Sequence, residues 1–297
     1  MFGASTLIPL RKERIQKMMR NIKLICIILL LKAMSINAAT ISPASFCLEK
    51  FDIGMNMELG IDLMLSDIAN TGPIHLKTRQ PSMDSILKGY VPIPDASWFY
   101  FLHSKIIPDK TGVARARMFL KIPNKNKYLN QHWAVHVTAK PPATGIFSME
   151  MVGIYMIETR SSEKISERPY GIIGVVPSRI NMDKVIPQQK KTATFSIYNN
   201  DSMAHTYQIS VQTFDPSFYN KLQISQAPGY EWVKYTNWIK PIQPIITINA
   251  GQKKETSLDV FIPKGVQYDD EGWEAIIMVE SIKNGGPNGF TRLLISQ

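Results

Sequence analysis

The sequence predicts an all-β chain of two tandem antiparallel β-sandwich domains behind an amino-terminal leader. Three observations carry that expectation. Apolar residues recur with period two in short runs bounded by turn residues, the pattern of strands with one buried face. One set of glycine, tyrosine, tryptophan and proline anchors recurs at a constant spacing of 140 residues. No long segment shows a convincing helical period, and a length of 297 residues fits two cores of ordinary size.

The leader comes first. Arg20 and Lys23 precede the apolar run Leu24 to Leu31, and the small residues Ala38 and Ala39 follow. That order of charged, apolar and small segments reads as a secretory signal over residues 1–39, with Met1, Met18 and Met19 as alternative starts. The run is too short for a membrane-spanning anchor, which needs about 20 apolar residues. Most of the formal charge of +10 also lies here: seven basic residues against Glu13 leave +4 for the remainder. A mature charge that small implies no particular polyanionic partner, and no nucleic-acid partner is expected. Cys26 falls in the leader, so the exported chain would keep Cys47 alone and form no internal disulfide. These features predict a periplasmic or cell-surface location.

The first domain is expected over residues 44–160. Ile61, Leu63 and Leu65 alternate ahead of Ser66-Asp67, and Ile74 and Leu76 follow. Met118, Leu120 and Ile122 alternate with Arg117, Phe119 and Lys121 beyond a turn at Thr111-Gly112. Tyr128 then stands five residues before Trp133, which opens the alternating run Trp133-Val135-Val137. Ile157 to Pro169 is charged and has no apolar face, so a linker is expected at 161–170 and the second domain at 171–297.

The second domain repeats the first. Gly89-Tyr90 matches Gly229-Tyr230, Trp98 matches Trp238, Ile122-Pro123 matches Ile262-Pro263, Tyr128 matches Tyr268 and Trp133 matches Trp273, each at a spacing of 140. Anchors of these types held in register without a gap mark a duplication, and Trp and Tyr at such places are scaffold. A tyrosine entering a strand of this kind is the pattern of the tyrosine corner in immunoglobulin-like sandwiches. Upstream, Ala193, Phe195 and Ile197 alternate before Asn199-Asn200-Asp201, and Tyr207, Ile209 and Val211 follow. The terminal strand Leu293-Leu294-Ile295 must itself be paired.

Three stretches of this half carry a resemblance: Val176-Pro177-Ser178-Arg179-Ile180, Thr194 to Asn200, and the Ile246 to Ile262 pair of strands around Ala250-Gly251. Over about one hundred residues it resembles an immunoglobulin-like module of exported bacterial proteins and is similar to the first domain of periplasmic pilus chaperones. In that family a basic pair anchors the carboxyl end of a pilus subunit, which the chaperone completes by strand exchange. The resemblance implies an anchoring role for Arg179. The second anchoring residue has no counterpart, and two similar domains depart from the unlike pair of the family.

Chemical motifs are absent. No Gly-x-Ser-x-Gly, Walker, His-Glu-x-x-His or Cys-x-x-Cys pattern occurs, so an enzyme is not expected, nor a cofactor. His132 and His136 lie on one face of a strand about 13 Å apart, too far to share a zinc ion, and read as a solvated pair. Asp269-Asp270-Glu271 reads as a solvated turn, since adjacent residues do not supply the roughly six to eight converging oxygens of a calcium site. Aromatic residues concentrate between Phe214 and Trp238. Setting aside the scaffold residues Tyr230 and Trp238, the partner-binding candidates are Phe218, Tyr219, Trp232 and Tyr235, together with Arg179.

The expected function is therefore a non-catalytic envelope protein acting through protein contacts, with an envelope or surface protein as partner by β-strand addition. A chaperone for surface subunits and a carbohydrate-binding module using the exposed aromatics are the alternatives.

Overall fold

The computed structural model describes residues 39–68, 72–142, 149–212, 226–266 and 272–296, and residues 41–297 form one compact unit. Among the described residues, twenty strands make two successive β-sandwiches. In the first, β1 (Thr40–Ser42), β3 (Asn56–Ser66), β8 (Ala114–Lys121) and β6 (Phe99–Phe101) form one sheet in the order β1-β3-β8-β6. The facing sheet orders β2 (Ser45–Phe51), β10 (Met151–Thr159), β9 (His132–Lys140), β4 (Ile74–Arg79) and β7 (Lys105–Ile106), with β5 (Val91–Pro92) also beside β9.

The second sandwich repeats this strand for strand. Its first sheet orders β11 (Ile173–Val176), β13 (Lys190–Asn199), β18 (Lys253–Phe261) and β16 (Ile239–Pro241). Its second orders β12 (Arg179–Met182), β20 (Asn288–Ser296), β19 (Gly272–Ser281), β14 (His205–Val211) and β17 (Ile245–Ile248), with β15 (Tyr230–Trp232) beside β19. The duplication extends to the ladders: Val91 stands opposite Trp133 and Glu231 opposite Trp273, while Phe99 faces Leu120 and Ile239 faces Val260. All four pairs keep the spacing of 140 read from the sequence.

The sandwiches are not purely antiparallel. In each, the opening strand breaks at a proline, Pro43 or Pro177, and the chain continues in the opposite sheet as β2 or β12. Proline has no N–H for the ladder, so it interrupts one sheet and frees the chain to join the other. There β2 runs parallel to β10 and β12 parallel to β20. The terminal strand β20 is held on both sides, by β12 and β19.

The period-two residues form the cores. Leu63, Leu65, Met118, Leu120, Ile122, Trp133, Val135 and Val137 are fully buried in the first sandwich, and Ile197, Ile248, Leu258, Val260, Ile262, Ile277 and Val279 in the second. Trp98, Tyr128 and Trp133 pack ring on ring, as do Trp238 and Trp273. Ile61 departs from its expected place and is exposed. Gly60 adopts a positive φ, and the pairing of β3 with β8 shifts register between Glu58 and Asp62, which turns Ile61 out of phase.

A second difference is larger. Alternation predicts one buried face for β9 and β19, yet every residue from His132 to Ala139 and from Gly272 to Val279 is buried. The outer faces of the two six-stranded sheets pack on each other. Tyr90, Ala134 and Met156 of the first sandwich meet Ile276, Met278 and Phe290 of the second. The His132 ring stacks on Phe290 at 3.7 Å, so the expected solvated histidine pair is in fact covered: His132 and His136 are both buried. Ile157, Glu158 and Thr159, read from sequence as the start of a charged, faceless stretch, are buried residues of β10.

Gly89 shows how close this docking is. A Cβ there would stand 2.4 Å from the Phe290 ring, and its φ of +92° is one that side chains rarely adopt. Its N–H also donates to Asn288 across the junction at 2.7 Å. Gly89→Ala should cost about 2–3 kcal/mol in urea unfolding, since strain and overpacking act together. An unfolding midpoint equal to that of the parent would rule out this packing.

Candidate functional site

The apolar junction closes around a buried ionic cluster. Five charged side chains reach it from both sandwiches: Glu49 on β2 and Glu158 on β10, then Arg179 on β12, Glu274 on β19 and Arg292 on β20. Parity places them. Glu158 stands opposite His132, and Arg179 stands opposite Arg292, so all project from outer sheet faces that docking has removed from water.

Arg292 is fully buried at the centre. Its Nε donates to Glu158 Oε2 at 2.7 Å and its Nη2 to Glu158 Oε1 at 2.6 Å, a two-pronged pairing that matches the planar guanidinium to a carboxylate. Nη1 donates to Glu274 Oε1 at 2.5 Å, and the other oxygen of Glu274 accepts from the N–H of Ala227 at 2.6 Å. The Tyr90 hydroxyl also donates to Glu158 Oε1, at 2.6 Å. Arg179 Nη2 donates to Glu49 Oε2 at 2.6 Å and lies 3.8 Å from Glu158.

Charge balance sets the protonation states. Burial alone would raise the Glu158 carboxyl, but the facing Arg292 charge overrides it and holds the pKa at about 2. For Glu274 burial prevails over Arg292 and the Ala227 N–H, and its pKa rises. Burial would lower Arg292, yet Glu158 and Glu274 hold it well above the ordinary arginine value. His132 is pushed down to about 4, first by burial and then by the guanidinium charges, against the pull of Glu158. The Cys47 thiol, 3.7 Å from both Tyr90 and Glu158, is raised by burial and by the Glu158 charge, so the thiolate is disfavoured. The chemistry of the cluster is cohesion: its guanidinium and carboxylate groups pair across the junction, although Arg179 Nη1 has no hydrogen-bond partner among the described residues.

Sequence reasoning reached only Arg179 of these five. It is 8% exposed, and the carboxylate it meets is the chain's own Glu49. Trp232 is half-buried against the apolar junction, next to Ile276 and Phe290 in the same cluster. Tyr235 is open to solvent, its ring centroid 5.2 Å from that of Trp238. Phe218, Tyr219, Tyr268 and the Asp269-Asp270-Glu271 turn lie outside the described residues. The signal for Glu158, Glu274 and Arg292 was a lone charge inside an apolar strand, as in Trp273-Glu274-Ala275-Ile276-Ile277.

Among the described residues, no group of three or more His, Cys, Asp or Glu side chains is placed to hold a metal ion. No described helix is long and apolar enough to cross a membrane.

No protein-family model matches the sequence, and no curated protein does. Among solved structures, the chain is similar to a protein of unknown function from Porphyromonas gingivalis W83, at 11% identity and a TM-score of 0.30 over 87% of this chain and 99% of that one. It is also similar to the Escherichia coli chaperone DraB, at 9% identity and a TM-score of 0.26 over 88% and 98%. WR4, an MSP family member from C. elegans, aligns with 43% of the chain and all of its own length, at 10% identity and a TM-score of 0.28.

Proposed function

We propose that this chain is a non-catalytic exported envelope protein that works through protein contacts, adding strands from a surface component to the open edges of its sandwiches. The observation that carries this reading is a pair of edges related by the duplication. Strands β6 and β7 end the two sheets of the first sandwich, and β16 and β17 end those of the second. Leu102 and Ile107 stand exposed beside the first pair, Ile242 and Ile245 beside the second, and Ile107 and Ile245 are 75% and 63% exposed. Edge strands in stable monomers are commonly guarded by charge, bulges or covering loops. Open main-chain donors and acceptors flanked by aliphatic side chains are the requirements for strand addition, with the backbone supplying affinity and the side chains selectivity.

Chaperoning of surface subunits would use the same edges. The anchoring arginine that reading relies on is already engaged by Glu49, which leaves structural partnership as the better-supported role.

A photo-crosslinking residue at Thr247, exposed on β17, tests the proposal in cells. A discrete adduct with one envelope protein is expected, weakened at least roughly tenfold when Ile245→Lys is added, because a charge on an edge opposes strand pairing. Lysine at so exposed a site should change stability by less than about 0.5 kcal/mol. Absence of the adduct, or an adduct indifferent to Ile245→Lys, would overturn the reading.

A further inference from the structure

Where the segment leading into the second sandwich passes between the domains, an open depression of ≈ 440 Å³ is lined by Lys127, Arg168, Pro169, Tyr170, Asn200 and Gly251. Lys253 stands beside it on β18. Its cations lie over tyrosine rings. Lys127 Nζ lies 5.1 Å from the centre of the Tyr128 ring and 5.9 Å from that of Tyr170. The Arg168 guanidinium lies 5.7 Å, and Lys253 Nζ 5.5 Å, from the centre of the Tyr198 ring. Around the depression the three cations rest on tyrosine faces, and the described residues supply no carboxylate within ion-pairing distance of their charged groups.

The framework under them is fixed. Arg168 Nε donates to Asn200 Oδ1 at 3.0 Å, while the Asn200 amide donates to the carbonyls of Pro169 and Gly171. Tyr170 N–H donates to Lys127 O at 2.9 Å, and Glu167 accepts from the Lys127 N–H, tying the segment to the first sandwich. A tyrosine face orients a cation without neutralising it, since the attraction comes from the ring quadrupole. Lys127 and Arg168 in the groove, with Lys253 beside it, present oriented positive charge to an anionic polymer lying across it.

We propose that this depression binds an acidic polysaccharide, one whose sugars carry carboxylate groups. An open groove suits a polymer that enters and leaves rather than an enclosed small molecule. Tyr128 and Tyr198 have their faces occupied by cations, which removes the stacking platforms a single-stranded nucleic acid would use. The site draws on both sandwiches and on residues distinct from the β6–β7 and β16–β17 edges, so it stands or falls apart from the strand-addition reading.

Polygalacturonate, neutral dextran and single-stranded DNA are the probes, titrated into the full chain at low and moderate salt. Polygalacturonate is expected to bind in a salt-sensitive manner and dextran not to bind. Arg168→Gln with Lys253→Gln should weaken polygalacturonate binding about tenfold with the circular dichroism unchanged. The charge-matched control Lys77→Gln with Lys105→Gln, on the far sheet edge, should leave it within twofold. The leader contributes equally to all three proteins, so the comparison isolates the groove. No binding of polygalacturonate, equal losses in the two double variants, or tighter binding of the DNA would each overturn the proposal.

Discussion

Replacing Arg292 by methionine should destabilise the chain by about 3–5 kcal/mol, because it strands two buried carboxylates that no water can reach. Glu158 would lose both prongs of its pairing, and Glu274 would keep, among the described residues, the Ala227 N–H. Removing one partner of a buried pair costs far more than the pair contributes, since the remaining charge keeps its whole desolvation penalty. Neutralising those partners should therefore restore most of the loss: Arg292→Met combined with Glu158→Gln and Glu274→Gln is expected to be more stable than Arg292→Met alone. Equilibrium urea unfolding reads both. If Arg292→Met falls within about 1 kcal/mol of the parent, the cluster does not hold the sandwiches together.

Acid should loosen the same junction in two stages, and the sign follows from which state binds more protons. His132 has its pKa lowered from 6.5 to about 4 in the folded chain, by burial first and by Arg292 and Arg179 next. Between those values the unfolded chain takes up a proton that the folded chain refuses, so stability falls as pH drops from about 6.5 to 4, by about 3 kcal/mol at most. Glu158 follows: its folded pKa of about 2 contributes stability above 4.5 that is lost as pH falls toward 2. Glu274 acts in the opposite sense, since its raised pKa costs stability at neutral pH and relieves that cost on protonation. Urea midpoints at pH 7, 6, 5 and 4 should fall steadily for the parent. His132→Phe, which keeps a ring against Phe290, should flatten the upper limb. Identical profiles for the two proteins would show that His132 is not the group responsible.

Of the residues that match at a spacing of 140, Ile122 and Trp133 and their counterparts Ile262 and Trp273 are buried in the cores and hold two frames in the same register, while Gly89 and Tyr90 lie at the junction. The residues that do not match distinguish the two frames. Ala134 and Glu274 occupy equivalent places opposite the two tryptophan-led runs, and only the second carries charge.

Much of the frame was legible in the sequence for a simple reason: a strand with one dry face writes its geometry in every second residue. Met118-Leu120-Ile122 and Trp133-Val135-Val137 needed no partner to be recognised, and the anchors fixed the correspondence of β5 to β9 with β15 to β19. Ile61 escaped because β3 gains two residues over β8 between Glu58 and Asp62, where Gly60 takes a positive φ and the irregular stretch turns Ile61 outward.

The ionic cluster was not legible. Glu49, Glu158, Arg179, Glu274 and Arg292 are spread across nearly 250 residues, and only Arg179 stands out in the sequence, as a partner anchor rather than as a member of an internal network. By itself the sequence determined the strands, their inner faces and the duplication, because these rest on local periodicity and composition. The tertiary structure alone decided that the outer faces of the two six-stranded sheets dock, which turned five surface charges into one interior network. Burial is a property of what covers a face, and the covering face is written elsewhere in the chain.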